Sequence, residues 1–237
     1  MVKIAVFDCE RLVWGRFRLE KAVKCSFWPV FTYVLGVQTN EYMREQLWKY
    51  ERIDWDLTST NRFERTACLP IQSGMRKNPD RLAELRRQLI LDTSVEKAYN
   101  DITQLLAASL EVPIAMVNLM DADRDWFKSC VGLPFTESPV VTSFCETMFH
   151  TDQDVIVVED TTQSELFKQH PLVTGEPFIR FYAAARLSIN GQILGTLCTY
   201  DMKPHHITPA QIDQLRALTL AVVDLLESRS KAATGSI

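Results

Sequence analysis

The dipeptide Asn190-Gly191, set between two apolar runs at residues 179–189 and 192–200, constrains this chain more than any other feature. Both central positions of a two-residue hairpin turn need positive φ, which Asn and Gly adopt at least cost, so the pattern predicts two antiparallel strands. A second hairpin follows from the same logic. Residues 114–120 (IAMVNLM) read as a strand apolar on both faces, residues 124–131 as another, and Asp121-Ala122-Asp123 supplies turn-forming side chains between them. Residues 155–159 read as a short strand, the third in chain order. The connections are too short for crossovers, so neighbouring strands pair antiparallel.

Helical periodicity brackets these strands. Leu82, Leu85 and Leu89 recur at helical spacing behind Asn78-Pro79-Asp80, a cap followed by a first-turn proline. Residues 95–110 form a second amphipathic pattern that stops before Pro113. Thr208-Pro209 opens a long final helix whose apolar stripe is Ile212, Leu215, Leu218, Val222 and Leu225. The order helix, hairpin, irregular middle, strand, hairpin, helix predicts an α+β fold, an antiparallel sheet with helices on its faces.

With 237 residues the chain has room for one such domain and an additional segment. Composition shifts near residue 75. The first 74 residues hold 11 Lys/Arg against 9 Asp/Glu, a balance of +2 that leaves −6 for the remainder, and they carry 12 of the 23 aromatic residues. That aromatic density, with Trp14, Trp28, Trp48 and Trp55, is not the signature of disorder. Within it, residues 2–7 suit a strand and residues 41–52 a short helix. The expected division is an aromatic-rich extension at 1–74, a domain at 75–230 and a flexible tail at 231–237. The extension is an interaction element, a partial domain, or upstream sequence read from an early start, since the regular pattern opens at Met75.

Charge and motifs exclude several function classes. A net charge of −4 with no Lys/Arg block argues against nucleic-acid binding. The longest apolar stretch, residues 25–37, is too short for a membrane span and is interrupted by Pro29, and acidic residues stand too early for a secretory signal. A cytoplasmic protein is expected. Six cysteines (Cys9, Cys25, Cys68, Cys130, Cys145, Cys198) include no C-x-x-C pair and read as free, mostly buried thiols. His150, His170 and the His205-His206 pair lack nearby ligand partners, so no metal site is expected. Asp121, Asp123 and Asp125 spell the start of a calcium loop, but Trp126 and Gly132 occupy the positions that need glycine and glutamate. Phosphate-loop, dinucleotide and hydrolase motifs are absent from the sequence, and no cofactor is expected.

Five segments, in order, resemble bacterial GAF domains: RLAELRRQLILDTS (81–94), DADRDWFKSCVGL (121–133), SFCETMF (143–149), PLVTGEPFIRFYA (171–183) and GTLCTYD (195–201). The resemblance covers roughly residues 79–227. It implies a twisted antiparallel sheet with helices on one face, which form a dimer surface, and a ligand pocket over the other. It also implies a sensor or regulatory role beside a signalling partner, with no output module in this chain, and a homodimer formed through the terminal helices.

On that resemblance, the pocket candidates are Trp126, Phe127, Ser143, Phe144, Cys145, Glu146, Arg180 and Tyr182. Together they offer an aromatic wall, a cation, an acid and a helix N-terminus with free N–H groups. The blander reading makes Trp126, Phe127 and Phe144 core, pairs Arg180 with Asp160 or Glu176, and turns Ser143 and Glu146 into a capping box. The ligand is an unidentified small molecule. The principal alternative is a free methionine sulfoxide reductase, with Cys145 as nucleophile at a helix start and Cys130 resolving it. Its usual G-V-C-G surround is replaced here by S-F-C-E. A bilin on Cys145 would usually be followed by histidine rather than Glu146, and the nucleotide-binding N-K…F-x3-D-E pattern is missing. A pocketless dimerisation module is the remaining alternative.

Overall fold

A computed structural model of the chain describes residues 73–234. The readings made for the aromatic-rich extension, and Cys9, Cys25 and Cys68 with them, lie outside the described residues. Five α-helices are described: α1 (Ser73–Arg76), α2 (Pro79–Arg87), α3 (Lys97–Leu110), α4 (Pro171–Thr174) and α5 (Pro209–Thr234). Six strands, β1 (Ile114–Met120), β2 (Arg124–Val131), β3 (Glu137–Pro139), β4 (Val155–Val158), β5 (Phe181–Ile189) and β6 (Gln192–Asp201), form one sheet in the order β3-β2-β1-β6-β5-β4. Every neighbouring pair is antiparallel.

The local signals account for the elements. Asn190 and Gly191 take φ of 51° and 74°, closing the β5–β6 hairpin with Ile189 opposite Gln192. Asn78 caps α2, its side chain accepting from the backbone N–H of Asp80 (2.9 Å) and Arg81 (3.1 Å). Thr208 and Gln211 cap α5 reciprocally, at 3.3 Å and 2.9 Å. Glu96 is still extended, at φ −126°, so α3 starts at Lys97, two residues later than the periodicity implies. α5 continues to Thr234, beyond the boundary expected at residue 230.

The sheet separates two apolar layers. On one face, α2, α3 and α5 bring Leu85, Tyr99, Leu106, Leu215 and Val222 onto Val117, Leu119, Ala183, Leu187 and Leu197. The opposite face collects Ile114, Met116, Phe127, Tyr182, Ala184 and Cys198 under Phe144, Met148 and Phe167. β1 is buried along its whole length, as a sequence apolar at every position but Asn118 requires. A bulge in the β1–β2 pairing leaves Lys128 unpaired, because Ser129 lies opposite Val117 and Phe127 opposite Asn118. The bulge turns Lys128 and Ser129 both toward the helices. Lys128 Nζ there donates to Thr93 Oγ1 (2.8 Å), the Ser94 carbonyl (2.6 Å) and Glu96 (2.7 Å). Among the described helices, none is long and apolar enough to cross a membrane.

Candidate functional site

The face opposite the three longer helices holds the polar chemistry. Strand alternation brings Asn118 from β1, Asp125 and Phe127 from β2, Tyr182 from β5, and Thr196, Cys198 and Tyr200 from β6 to this side. Over them run a 3-10 stretch, Phe144–His150, and, beyond β4, the segment that leads into α4. Phe144 is the keystone of this roof. Its ring stacks on Phe167 at 4.7 Å between centroids and meets His170 (4.1 Å), Tyr182 (5.2 Å) and Tyr200 (5.5 Å). Truncating such a ring typically costs about 3–5 kcal/mol.

Beneath Phe144, hydroxyl and thiol groups converge on Cys145. Thr196 Oγ1 donates to its Sγ at 3.0 Å, and the hydroxyls of Tyr182 and Tyr200 lie 3.6 Å away. Cys198 Sγ is 3.8 Å from Cys145 Sγ. Burial disfavours the Cys145 thiolate, yet hydrogen bonds from Cys198, Thr196 and Asn118 outweigh both burial and the Asp125 charge. The thiol is therefore pulled below its ordinary range, while burial and the Cys145 charge push Cys198 well up.

A buried ion cluster adjoins the sulfurs. Arg76, 1% exposed, reaches in from α1 and pairs with Asp125 and Glu146. The same guanidinium donates to the carbonyls of Asp121 (2.7 Å) and Arg124 (3.2 Å). Burial pushes the Asp125 carboxyl up, and the positive charge of Arg76 only partly offsets it. Asn118 stands beside both Asp125 and Cys145, and its side chain favours their charged forms. Its Oδ1 has no hydrogen-bond partner, and neither has Glu146 Oε1.

A cavity of about 50 Å³ lies beside this floor, lined by Asn118, Asp125, Phe127, Phe144 and Tyr200 among others. A cleft of about 500 Å³ runs along α3 and β2 on the helix side, past Asn100, Gln104, Trp126 and Lys128. Buried polar groups of the larger cleft include Lys128, partnered as above, and Ser129, bonded to Asn100 (2.7 Å) and Thr103 (2.8 Å). Among the described residues, the buried side-chain acceptors without a partner are Asn118 Oδ1 in the smaller cavity's lining, Glu146 Oε1 in the adjoining Arg76 cluster and Gln88 Oε1 just past α2.

The structure divides the eight sequence candidates. Phe127 and Phe144 line the cavity, while Cys145 and Tyr182 make the floor beside it. Ser143 and Glu146 join the Arg76 cluster, Ser143 Oγ at 3.4 Å from Nη2. The capping box does not form: Ser143 makes no side-chain cap bond, because Glu146 is engaged by Arg76. Trp126 faces the opposite layer, packed with the helix-side core. Arg180 turns away as well, its Nη1 donating to the carbonyls of Val173 (2.9 Å) and Ile179 (3.0 Å) rather than pairing with Asp160 or Glu176. Cys130 contributes a thiol that burial pushes up to about 12, hydrogen-bonded to the Val131 carbonyl.

Several site residues escaped the sequence reading, Thr196 and Cys198 of β6 among them. Asn118 had a signal, as the one polar residue in a strand otherwise apolar on both faces. Asp125 was absorbed into the failed calcium motif, and Tyr200 closes a strand whose alternation places it on the pocket side. Arg76 precedes the first periodic segment, where no pattern marks it.

The family model described as GAF domain matches residues 94–223. A cyclic di-GMP phosphodiesterase of Pseudomonas aeruginosa is 31% identical over 144 residues, covering 59% of this chain and 24% of the relative. The chain thus spans about a quarter of that relative's length. Among solved structures, the GAF domain of an Acinetobacter phosphoenolpyruvate-protein phosphotransferase is 16% identical, covering 63% of this chain and 94% of that one, with a TM-score of 0.48. A domain of a putative two-component sensor histidine kinase from Sinorhizobium meliloti is 18% identical, covering 61% and 100%, with a TM-score of 0.47.

Proposed function

Because the chain belongs to the GAF domain family, whose members typically serve sensory and regulatory signalling proteins, we propose that residues 75–230 bind a small molecule and pass its presence to a signalling partner. The supporting observation is the unpartnered acceptor Asn118 Oδ1 on a mostly apolar cavity lining, with a second, Glu146 Oε1, in the adjoining Arg76 cluster. A buried acceptor without a partner costs about 1–3 kcal/mol. The ligand therefore carries a hydrogen-bond donor, such as an amine or amide, and an apolar body that lies against Phe127 and Phe144. At about 50 Å³ the cavity is smaller than ordinary ligand sites, so binding requires Phe144 or its neighbours to move.

The partner we propose acts in cyclic-dinucleotide signalling, since the P. aeruginosa relative is a cyclic di-GMP phosphodiesterase. We place the module in the cytoplasm as a homodimer. The exposed Leu105 of α3 and Leu220 of α5 supply apolar contacts for that association.

Mass spectrometry of small molecules released from natively purified protein tests the reading. A donor-bearing compound should be captured by the wild type and lost from Asn118→Leu. An empty wild-type pocket, with a concentration-dependent dimer, would favour a pocketless dimerisation module, the reading that the small cavity itself favours.

A further inference from the structure

The structure places two sulfurs where the sensory reading has no use for them. Cys145 and Cys198 lie 3.8 Å apart, both fully buried and 53 residues apart in sequence. We infer that this pair is an oxidation site, at which a small hydroperoxide converts the two thiols to a disulfide across the pocket floor.

The geometry gives each sulfur a distinct part. Hydroxyls of Thr196 (3.0 Å), Tyr182 (3.6 Å) and Tyr200 (3.6 Å) surround Cys145 Sγ and stabilise it as a thiolate, the nucleophilic form. Cys198 keeps its proton beside that charge. Cys130 shares the apolar layer but lacks these hydroxyl neighbours among its hydrogen bonds, so it is the weaker partner for Cys145. Access is limited by size. The cavity of about 50 Å³ is lined by Tyr200, whose hydroxyl lies 3.6 Å from Cys145 Sγ, and a water-sized molecule needs only ~10–15 Å³ of such space. That space admits hydrogen peroxide and not a bulky disulfide, and the peroxide reaches the sulfurs, which do not line the cavity, past Tyr200.

In the first step Cys145 sulfur attacks one peroxide oxygen. The S–O bond forms, the O–O bond breaks, and the departing oxygen takes up a proton to leave as water. Cys198 sulfur then attacks the sulfenic Cys145. The S–S bond forms, the S–O bond breaks, and hydroxide leaves with the Cys198 proton as a second water. Two electrons pass from the two thiols to the peroxide. A disulfide of ~2.05 Å draws the roof segment Phe144–His150 toward β6.

The test is independent of ligand capture. Reduced full-length protein is exposed to hydrogen peroxide or to tert-butyl hydroperoxide, alkylated under denaturing conditions, and mapped by peptide mass spectrometry without reduction. The expected product is a peptide pair joining Cys145 to Cys198, lighter by two hydrogens, formed faster with hydrogen peroxide. In Cys198→Ser the cross-link is lost and dimedone traps a sulfenic acid on Cys145. Full alkylation of both cysteines after peroxide treatment would overturn the inference, as would a Cys145–Cys130 link. A captured metabolite without the cross-link would leave the sensory reading standing, and the cross-link in a protein that captures nothing would do the reverse.

Discussion

Arg76 Nε donates to Glu146 Oε2 at 2.7 Å, joining the first helix of the described chain to the roof of the pocket across seventy residues of sequence. The guanidinium also holds Asp125, which is fully enclosed. Arg76→Met leaves two carboxylates buried without their counter-ion, so it should destabilise the protein by about 3–5 kcal/mol in urea unfolding. Arg76→Lys should recover only part of that loss, because one ammonium cannot reproduce the planar, multi-donor contacts. A loss below ~1 kcal/mol for the methionine variant would show that the cluster is solvated in practice.

His170 makes stability depend on mildly acidic pH. Burial lowers its imidazole from 6.5 to about 3. A group depressed on folding contributes stability that is present above its unfolded value and is lost as pH falls toward the folded one. Stability should therefore decline from pH 6.5 downward, with a limiting slope of about 1.4 kcal/mol per pH unit from this residue. His170→Asn keeps an acceptor for the Leu172 N–H, now 3.2 Å from Nδ1, and should flatten the curve between pH 6.5 and 4.5. Denaturant titrations of both proteins at several pH values supply the comparison.

Gly195 is fixed by a close approach rather than by an unusual dihedral. A Cβ there would stand 2.0 Å from the Asn118 carbonyl oxygen on β1. The backbone of a central strand cannot yield that much, so Gly195→Ala should cost at least ~1–3 kcal/mol and disturb the β1–β6 pairing. Loss of amide-exchange protection along both strands would reveal the disturbance, and an unchanged thermal midpoint would refute it.

Lys128, displaced by the bulge, ties β2 to the segment before α3. Lys128→Met retains the stem and removes the donors to Thr93, Ser94 and Glu96, at an expected cost of about 1–3 kcal/mol. Glu96 is held below its ordinary value, first by the Lys128 hydrogen bond. Its contribution is present above pH 4.5 and fades as pH falls further, so the variant should also lose part of the acid dependence in that lower range.

The architecture was legible wherever one local rule decided a segment. Asn190-Gly191 could adopt little but the turn it forms, and the apolar sequence of β1 called for cover on both sides. Residues 143–149 misled for the opposite reason. Ser143 and Glu146 satisfy the capping pattern, but Arg76 offers Glu146 a charged partner that no local window contains. Trp126 and Phe127 were grouped because they are adjacent in sequence, whereas a strand sends neighbours to opposite faces. The pairing of Cys145 with Cys198 depends on β6 passing beneath the roof segment, a tertiary fact that neither cysteine's surroundings encode.

The placement of Arg76 also makes the domain mechanically lopsided. Tension on the peptide arriving at Ser73 is delivered within a single helical turn to Glu146 and Asp125, at the edge of the cavity. Tension on α5 is spread instead along Leu215, Val222 and Leu226 and shared with the Arg229 clamp on Glu96 and the Leu89 carbonyl. Pulled from its upstream end, the molecule strains its pocket first. Pulled from the downstream end, it strains the helical layer on the far side of the sheet.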